Sequence, residues 1–306
     1  MSGVFVQVGS LLSMIALGYA LRRAQVLKDG DPAILMKLIM NGTLPAAVIA
    51  GFDGFERDMG LIFVMVLAIL MNALMSLAGY LAGRRDGREE SAFGVINYSG
   101  YNVGAFAIPC LQGFLGGAGI MVACVFDTGN AVMCSGLVYV LAARVLEGGG
   151  RLDVRKTAAR LVRVVPFDVY LIMLALYVLD IHLPAFLYRA AGAMGNANTF
   201  LSMLVIGASI RLRFPEGDGK RIVRNLTVRY VMAAVLSLGI YYLLPLDLLV
   251  RQVLVILACA PVSSITVINT AKCGLDEKRA GAVNSLSIAV SLVIITTLAG
   301  IWRLGT

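Results

Sequence analysis

The sequence predicts an all-α membrane protein of ten transmembrane helices, arranged as a 5+5 inverted repeat with its fourth and ninth helices broken. Three observations lead there: an excess of apolar residues, basic residues that alternate from one inter-helix segment to the next, and two proline-interrupted runs at matching places in the two halves. The chain has 306 residues, of which 59% are hydrophobic and 14% charged, where soluble domains carry about 25% charged residues. Its mean hydropathy is +0.86. A chain of this composition lacks the polar side chains needed to coat a water-facing surface, so most of its exterior must face lipid.

A crossing needs about 20 largely apolar residues, at about 1.5 Å of rise per residue. Such runs lie near 3–21, 33–52, 60–82, 92–115, 118–141, 166–184, 193–210, 228–245, 252–271 and 280–302. The runs at 92–115, 193–210 and 252–271 are the richest in Gly, Asn, Ser or Pro. The first run has no charge before it and Arg22–Arg23 after it. A cleaved signal peptide has the opposite polarity, so a retained helix with its N-terminus outside is expected.

Charge fixes the direction of the rest. The net charge is +8, from 26 Lys and Arg against 18 Asp and Glu. No basic patch sits in a polar domain that could fold on nucleic acid, and none is expected to bind it. The basic residues crowd the segments after odd-numbered runs: Arg22, Arg23 and Lys28; Arg84, Arg85 and Arg88; Arg144 through Arg163; Arg211 through Arg229; and Lys272, Lys278 and Arg279. The opposite side keeps Arg57, Arg189, Arg251 and Arg303. By the positive-inside rule, both termini lie outside. A wrong helix count would send every later segment to the other side. Trp302 and Tyr241–Tyr242 suit interfacial anchoring, and the sole histidine, His182, falls near an outer span end.

The ten runs divide into a first repeat at 1–143, a basic cytoplasmic linker at 144–165 and a second repeat at 166–306. Five helices per half oblige the second half to enter from the opposite side, giving an inverted repeat. The fourth run holds Asn97, Ser99, Asn102, Pro109 and Gln112; the ninth holds Pro261, Ser263, Ser264, Thr266, Asn269 and Thr270. Proline removes a backbone N–H and clashes with the preceding turn. Hydrocarbon cannot satisfy the freed backbone groups, so such a break must line a cavity or pack in protein. One proline kink needs no function. Two at matching repeat positions, each beside clustered Asn, Ser and Thr, favour a site.

The chain resembles the auxin efflux carrier family, in its shorter prokaryotic branch of organic-anion permeases, and the wider group that includes bile acid–sodium symporters. The resemblance rests on Asn41-Gly-Thr-Leu-Pro45, on Asn102 through Pro109 to Leu115-Gly116, on Ala260-Pro261 to Cys273-Gly274, and on the Gly-Tyr-x-Leu-Arg-Arg end of the first run. It implies that the two broken helices cross at mid-membrane and that Asn102, Pro109 and Pro261 line the substrate site. The ninth run departs from the plant carriers in placing Ser263 and Ser264 directly after the proline, so the plant substrate does not transfer. Asn41, Thr266 and Asn269 complete the expected substrate-binding set.

Asp127 is the one acid well inside a run, with Asn130 nearby. An intramembrane acid costs about 2.5–3.5 kcal/mol on insertion scales. Two readings follow: a proton or cation coupling site formed with Asn130, or a neutral carboxyl hydrogen-bonded to a neighbouring helix. Lys37 is expected to snorkel to the headgroups. Asn284, Ser285 and Ser287, at the corresponding place in the tenth run, are expected to bond between helices, and Gly79–Gly83 and Gly113–Gly119 to serve helix packing. Cys110, Cys124, Cys134, Cys259 and Cys273 lack CxxC spacing and histidine partners, so neither disulfides nor a metal site is expected.

The expected function is secondary transport of a small organic anion, a mono- or dicarboxylate, across the plasma or bacterial inner membrane by alternating access. Half-helix N-termini at a break offer unpaired N–H groups and positive dipole ends to a carboxylate. The expected partners are that anion and the bilayer; a homodimer is left open, as is coupling to H+ or Na+, and no cofactor is expected. The alternatives are a membrane-embedded enzyme, a transporter-like sensor, or a sodium-coupled bile-acid-type symporter of the same fold. Against an enzyme stand the absence of a histidine-based acid–base pair and of paired acids. A GxxxxGK[ST] nucleotide loop is missing too, which also excludes ATP-driven transport by this chain alone.

Overall fold

A computed structural model describes residues 2–28, 30–54, 60–148, 165–209, 217–302 and 304. Among these residues the structure is all-helical, with no β-strand. The helices are α1 (Ser2–Arg23), α2 (Asp31–Leu38), α3 (Leu44–Gly51), α4 (Gly60–Gly83), α5 (Arg88–Tyr98), α6 (Ile108–Val132) and α7 (Val138–Glu147). They continue as α8 (Val165–Leu179), α9 (Ala185–Ser209), α10 (Gly219–Leu243), α11 (Leu248–Ala258), α12 (Ile265–Lys272) and α13 (Glu277–Ile301). Four segments are individually long and apolar enough to cross a bilayer: Asp31–Gly51, Ile62–Gly83, Gly219–Leu243 and Glu277–Ile301. Most of the basic linker expected at 144–165 lies outside the described residues.

The molecule has the burial pattern of a protein dissolved in lipid. Leu70, Leu77, Val235, Leu238 and Val293 are all more than half exposed, while Asn72, Asn97, Asn130 and Arg229 are buried. Without a hydrophobic drive between lipid-soaked helices, association depends on close approach of backbones. On α4 and α5, Gly79 faces Gly94 so closely that a Cβ on either would lie 2.2 Å from the other's carbonyl oxygen. Gly83 likewise meets the Glu90 backbone, and Gly18 of α1 and Gly207 of α9 abut the Leu204 and Ile15 carbonyls. Gly79 and Gly83 therefore serve helix packing, as expected.

Two π-helical turns join helices end to end, Ile39–Thr43 and Met133–Leu137, and a third, Val103–Ala107, leads into α6. After Ile39–Thr43 and Val103–Ala107, a proline follows at once in the first turn of the next α-helix, Pro45 in α3 and Pro109 in α6. Each proline lies inside a continuing helical run, and the wider π turn before it accommodates the missing N–H and the bulk of the ring. Helical structure runs without interruption from Val103 to Glu147, through 116–117, where the sequence suggested a gap between spans. The run is not straight. The Asn130 side chain bonds the Tyr101 backbone, 29 positions earlier, whereas 29 residues of straight helix would separate them by about 40 Å. The reversal falls in the glycine-rich stretch, where a Cβ on Gly119 would lie 2.8 Å from the Leu115 Cβ; residues four apart in a regular helix have Cβ atoms about 5–6 Å apart.

At one end of the bundle an ion-pair cluster ties α5 to α10 and α13. Glu90 pairs with Arg279 at 2.5 Å, with Arg224 at 3.2 Å and with Arg221 at 3.4 Å, and Arg224 also pairs with Asp86. The Arg279 guanidinium lies 3.7 Å from the Phe93 ring centroid. Arg279 was expected in a solvated basic segment; it is instead buried at this helix junction, its charge matched by Glu90.

Candidate functional site

Two helical rods are interrupted, and they meet at their interruptions. α5 ends at Tyr98, and the chain is unwound through Ser99–Asn102 before helical structure resumes at Val103. Gly100 there takes φ +77°, a conformation that side-chain-bearing residues rarely adopt. The second rod ends with α11 at Ala258 and resumes with α12 at Ile265. The unwound segments pair as a short antiparallel bridge at Tyr101 and Val262. The Asn102 amide donates to the Pro261 carbonyl at 2.9 Å, and the Ser263 amide to the Gly100 carbonyl at 3.2 Å. The second break sits on Pro261, as the sequence suggested. The first does not sit on Pro109, which follows the π-turn and starts α6; unwinding occurs earlier, at Gly100.

Backbone groups freed in a low-dielectric interior need partners, and here side chains from packed helices supply them. Asn72 of α4 accepts from the Gly100 amide at 2.8 Å. Asn130 of α6 accepts from the Tyr101 amide at 3.1 Å and donates to the Tyr101 carbonyl at 2.9 Å. On α13, Asn284 donates to the Val262 carbonyl at 2.7 Å, Ser287 accepts from the Val262 amide at 3.0 Å, and Ser291 donates to the Cys259 carbonyl at 2.6 Å. Arg229 of α10 donates to carbonyls of both breaks. Asn284 and Ser287 thus bond between helices, as expected of them.

Beside the paired breaks lies a cavity of about 270 Å³. The unwound segments and the first turns after them, Tyr101–Ala105 and Ser263–Ile265, form part of its wall. The rest comes from Met36, Met40 and Leu44, from Asp127, Asn130, Ala131 and Cys134, and from Tyr170 and Ile268. Asp127 accepts a hydrogen bond from Asn130 Nδ2 at 2.7 Å on one oxygen and from the Tyr170 hydroxyl at 2.7 Å on the other. Asn130 therefore joins the carboxyl to the first break. The side chains of Asn102, Ser263 and Ser264 bond to no other group among the described residues, which leaves their polar atoms free in the cavity.

Of the residues singled out from sequence, the cavity brings together Asn102, Asp127, Asn130, Ser263 and Ser264. Five others stand outside its wall. Asn41 is exposed and donates to the Lys37 carbonyl of its own helix at 2.8 Å, while Met36, Met40 and Leu44, spaced by four, present the cavity-facing side of that helix. Pro109 and Pro261 are buried in the rods themselves. Thr266, in the first turn of α12, donates to the Ser263 carbonyl at 2.8 Å, and Asn269 donates to the Cys134 carbonyl at 2.8 Å. Lys37 is exposed, and His182 lies 3.8 Å from Asp180 in the turn between α8 and α9.

Sequence reasoning missed two participants, Tyr170 and Arg229. Tyr170 lay in an otherwise unremarked apolar run. Arg229 was counted with a basic inter-helix segment, because it stands at the very edge of the run placed at 228–245. The helix actually begins at Gly219 and carries Arg229 into the core.

Residues 3–154 match the family described as membrane transport protein. Over these residues the chain is similar to that family, the one of the auxin efflux carriers. Over 292 residues, 93% of either chain, it is 23% identical to a protein of Methanothermobacter thermautotrophicus named an uncharacterized transporter. Both findings point to a multi-pass membrane transporter rather than an enzyme.

Proposed function

We propose that this carrier moves a small organic anion, a mono- or dicarboxylate, by alternating exposure of the cavity beside the paired breaks. The observation that carries the proposal is that two half-helices begin at this one cavity, Val103 onward and Ile265 onward, with Asn102, Ser263 and Ser264 left unbonded among them. First-turn amides and the positive ends of two helix dipoles favour a carboxylate, and amide and hydroxyl side chains orient it. Met36, Met40, Leu44 and Ile268 supply an apolar wall for a short carbon chain.

The architecture that goes with this reading has ten crossings, in repeats 1–143 and 166–306 of opposite orientation, with both termini outside a prokaryotic plasma membrane. Matching assignments in the halves support it. The third helix of each half, α4 and α10, sends Asn72 and Arg229 to the breaks, and the fifth sends Asn130 and Asn284. In this frame the cavity lies on the cytoplasmic side of the crossing, since Ile265 and Ile268 follow Pro261 on a rod that runs inward. Residues 253–262 are all buried and seal the outer side.

Asp127 is the coupling group. A carboxylate cargo and an ionised Asp127 in one cavity of about 270 Å³ repel each other, so cargo and proton enter together. The test is uptake of radiolabelled carboxylates into proteoliposomes under imposed proton or sodium gradients. Asp127→Asn keeps the shape of the side chain and should abolish proton-driven accumulation while sparing exchange of cargo. Full accumulation by this variant under a proton gradient removes Asp127 from coupling, and failure of every carboxylate in the wild type removes the cargo class.

A further inference from the structure

Arg229 is 1% exposed, and no carboxylate among the described residues pairs with it. Its partners are main-chain oxygens. One terminal nitrogen donates to the Tyr98 carbonyl and lies 3.4 Å from that of Ser99; the other donates to Gly100 at 3.1 Å and to Ala260 at 3.0 Å. The Tyr101 ring centroid lies 5.3 Å from its Cζ. These oxygens belong to two interrupted rods, just past the C-terminal ends of α5 and α11, where the negative ends of both helix dipoles point. Carbonyls of unwound backbone beside half-helix C-termini form the kind of cradle that carriers built on broken helices use to hold a coupling cation. A guanidinium is always charged and presents five donors in a fixed fork, so it can neutralise this cradle and bond several of its oxygens at once.

We propose that Arg229 is a tethered cation, filling a carbonyl cradle that would otherwise take a monovalent metal ion, so that the crossing assembles without sodium. The chain carries permanently the charge that an ion would have to bring, and removing that charge creates a sodium site. This inference goes beyond the transport reading and is tested through ion binding, so either can fail alone.

The measurement is the melting temperature of the purified full-length protein, titrated with NaCl or KCl at constant ionic strength, together with equilibrium binding of radioactive sodium. The wild type should melt at the same temperature in both salts and bind no sodium saturably. Arg229→Ala should melt well below the wild type in KCl and regain about 5 °C at saturating sodium. Arg229→Gln keeps part of the hydrogen-bonding fork without the charge, and should respond to sodium in the same direction even if the alanine variant does not fold. Arg229→Lys, which keeps the charge, should stay indifferent to the choice of salt. Saturable sodium binding by the wild type overturns the proposal, as does a glutamine variant that sodium stabilises no better than potassium.

Discussion

Asn130→Ala tests the claim that side chains hold the first break together, because the bonds it removes can be counted. Asn130 Oδ1 accepts from the Tyr101 amide at 3.1 Å, from Asn72 Nδ2 at 3.2 Å and from Cys134 Sγ at 3.2 Å. Its Nδ2 donates to the Tyr101 carbonyl at 2.9 Å and to Asp127 at 2.7 Å. Some of these partners have a second bond. The Tyr101 carbonyl keeps the Val103 amide at 3.0 Å, and Asn72 Nδ2 keeps the Ala68 carbonyl at 2.9 Å. Besides the Cys134 thiol, a weak donor, two groups are stranded: the Tyr101 amide, and one Asp127 oxygen, since Tyr170 serves only the other. A buried orphan amide costs about 1–3 kcal/mol, and loss of a bond to a charged group about 1.5–3 kcal/mol. The sum is about 2.5–6 kcal/mol. At about 2–4 °C per kcal/mol for chains approaching this size, the melting temperature should fall by about 10 °C. Asn41→Ala is the control, an exposed residue bonded only to its own helix, and should stay within about 0.5 kcal/mol of the wild type. Thermal melts in detergent, followed by intrinsic fluorescence, read both. If Asn130→Ala melts within about 2 °C of the wild type and of the control, the break does not depend on this side chain and the accounting is wrong.

Three further outcomes are expected. Gly79→Val places side-chain atoms against the Gly94 carbonyl, where a Cβ alone would sit at 2.2 Å, so monodisperse protein should be lost on size-exclusion chromatography; Gly239→Val, with nothing within 4 Å, should express normally. Topology reporters should read cytoplasmic at Gly87 and Gly219 and external at Gly117, and a cytoplasmic signal at Gly117 would break the ten-crossing arrangement. In a cysteine-free background, Ser264→Cys and Ile268→Cys should react with a membrane-permeant thiol reagent and resist an impermeant one added outside. Ser99→Cys and Asn269→Cys should resist both, because those positions are 0% and 4% exposed.

How much of this was legible in the sequence follows from what membrane helices demand of polar residues. The second break could be read directly, since Pro261 is followed by a run of Ser and Thr. The first was displaced toward Pro109, because proline is the conspicuous helix breaker. In the structure Gly100 supplies the unwinding, through a left-handed backbone angle, and Pro109 lies within the helical run behind a π turn that accommodates it. Arg229 was unreadable for a related reason. A hydropathy window ends a span at a charge, and nothing local shows that the charge faces carbonyls on other helices. The polar residues of the broken rods were read as one population of cavity-lining groups, and the structure separates them. Every backbone N–H and C=O freed by a break must be satisfied before anything else can bind there, since hydrocarbon offers nothing in exchange. Asn72, Asn130, Arg229, Asn284, Ser287 and Ser291 are committed to that requirement, while Thr266 and Asn269 seat α12. What remains unbonded beside the crossing, among the described residues, is the Asn102 side-chain amide and two serine hydroxyls. In a span of this kind, the residues available for cargo are the ones left after the broken backbone has been served, and they are fewer than the polar residues the sequence displays.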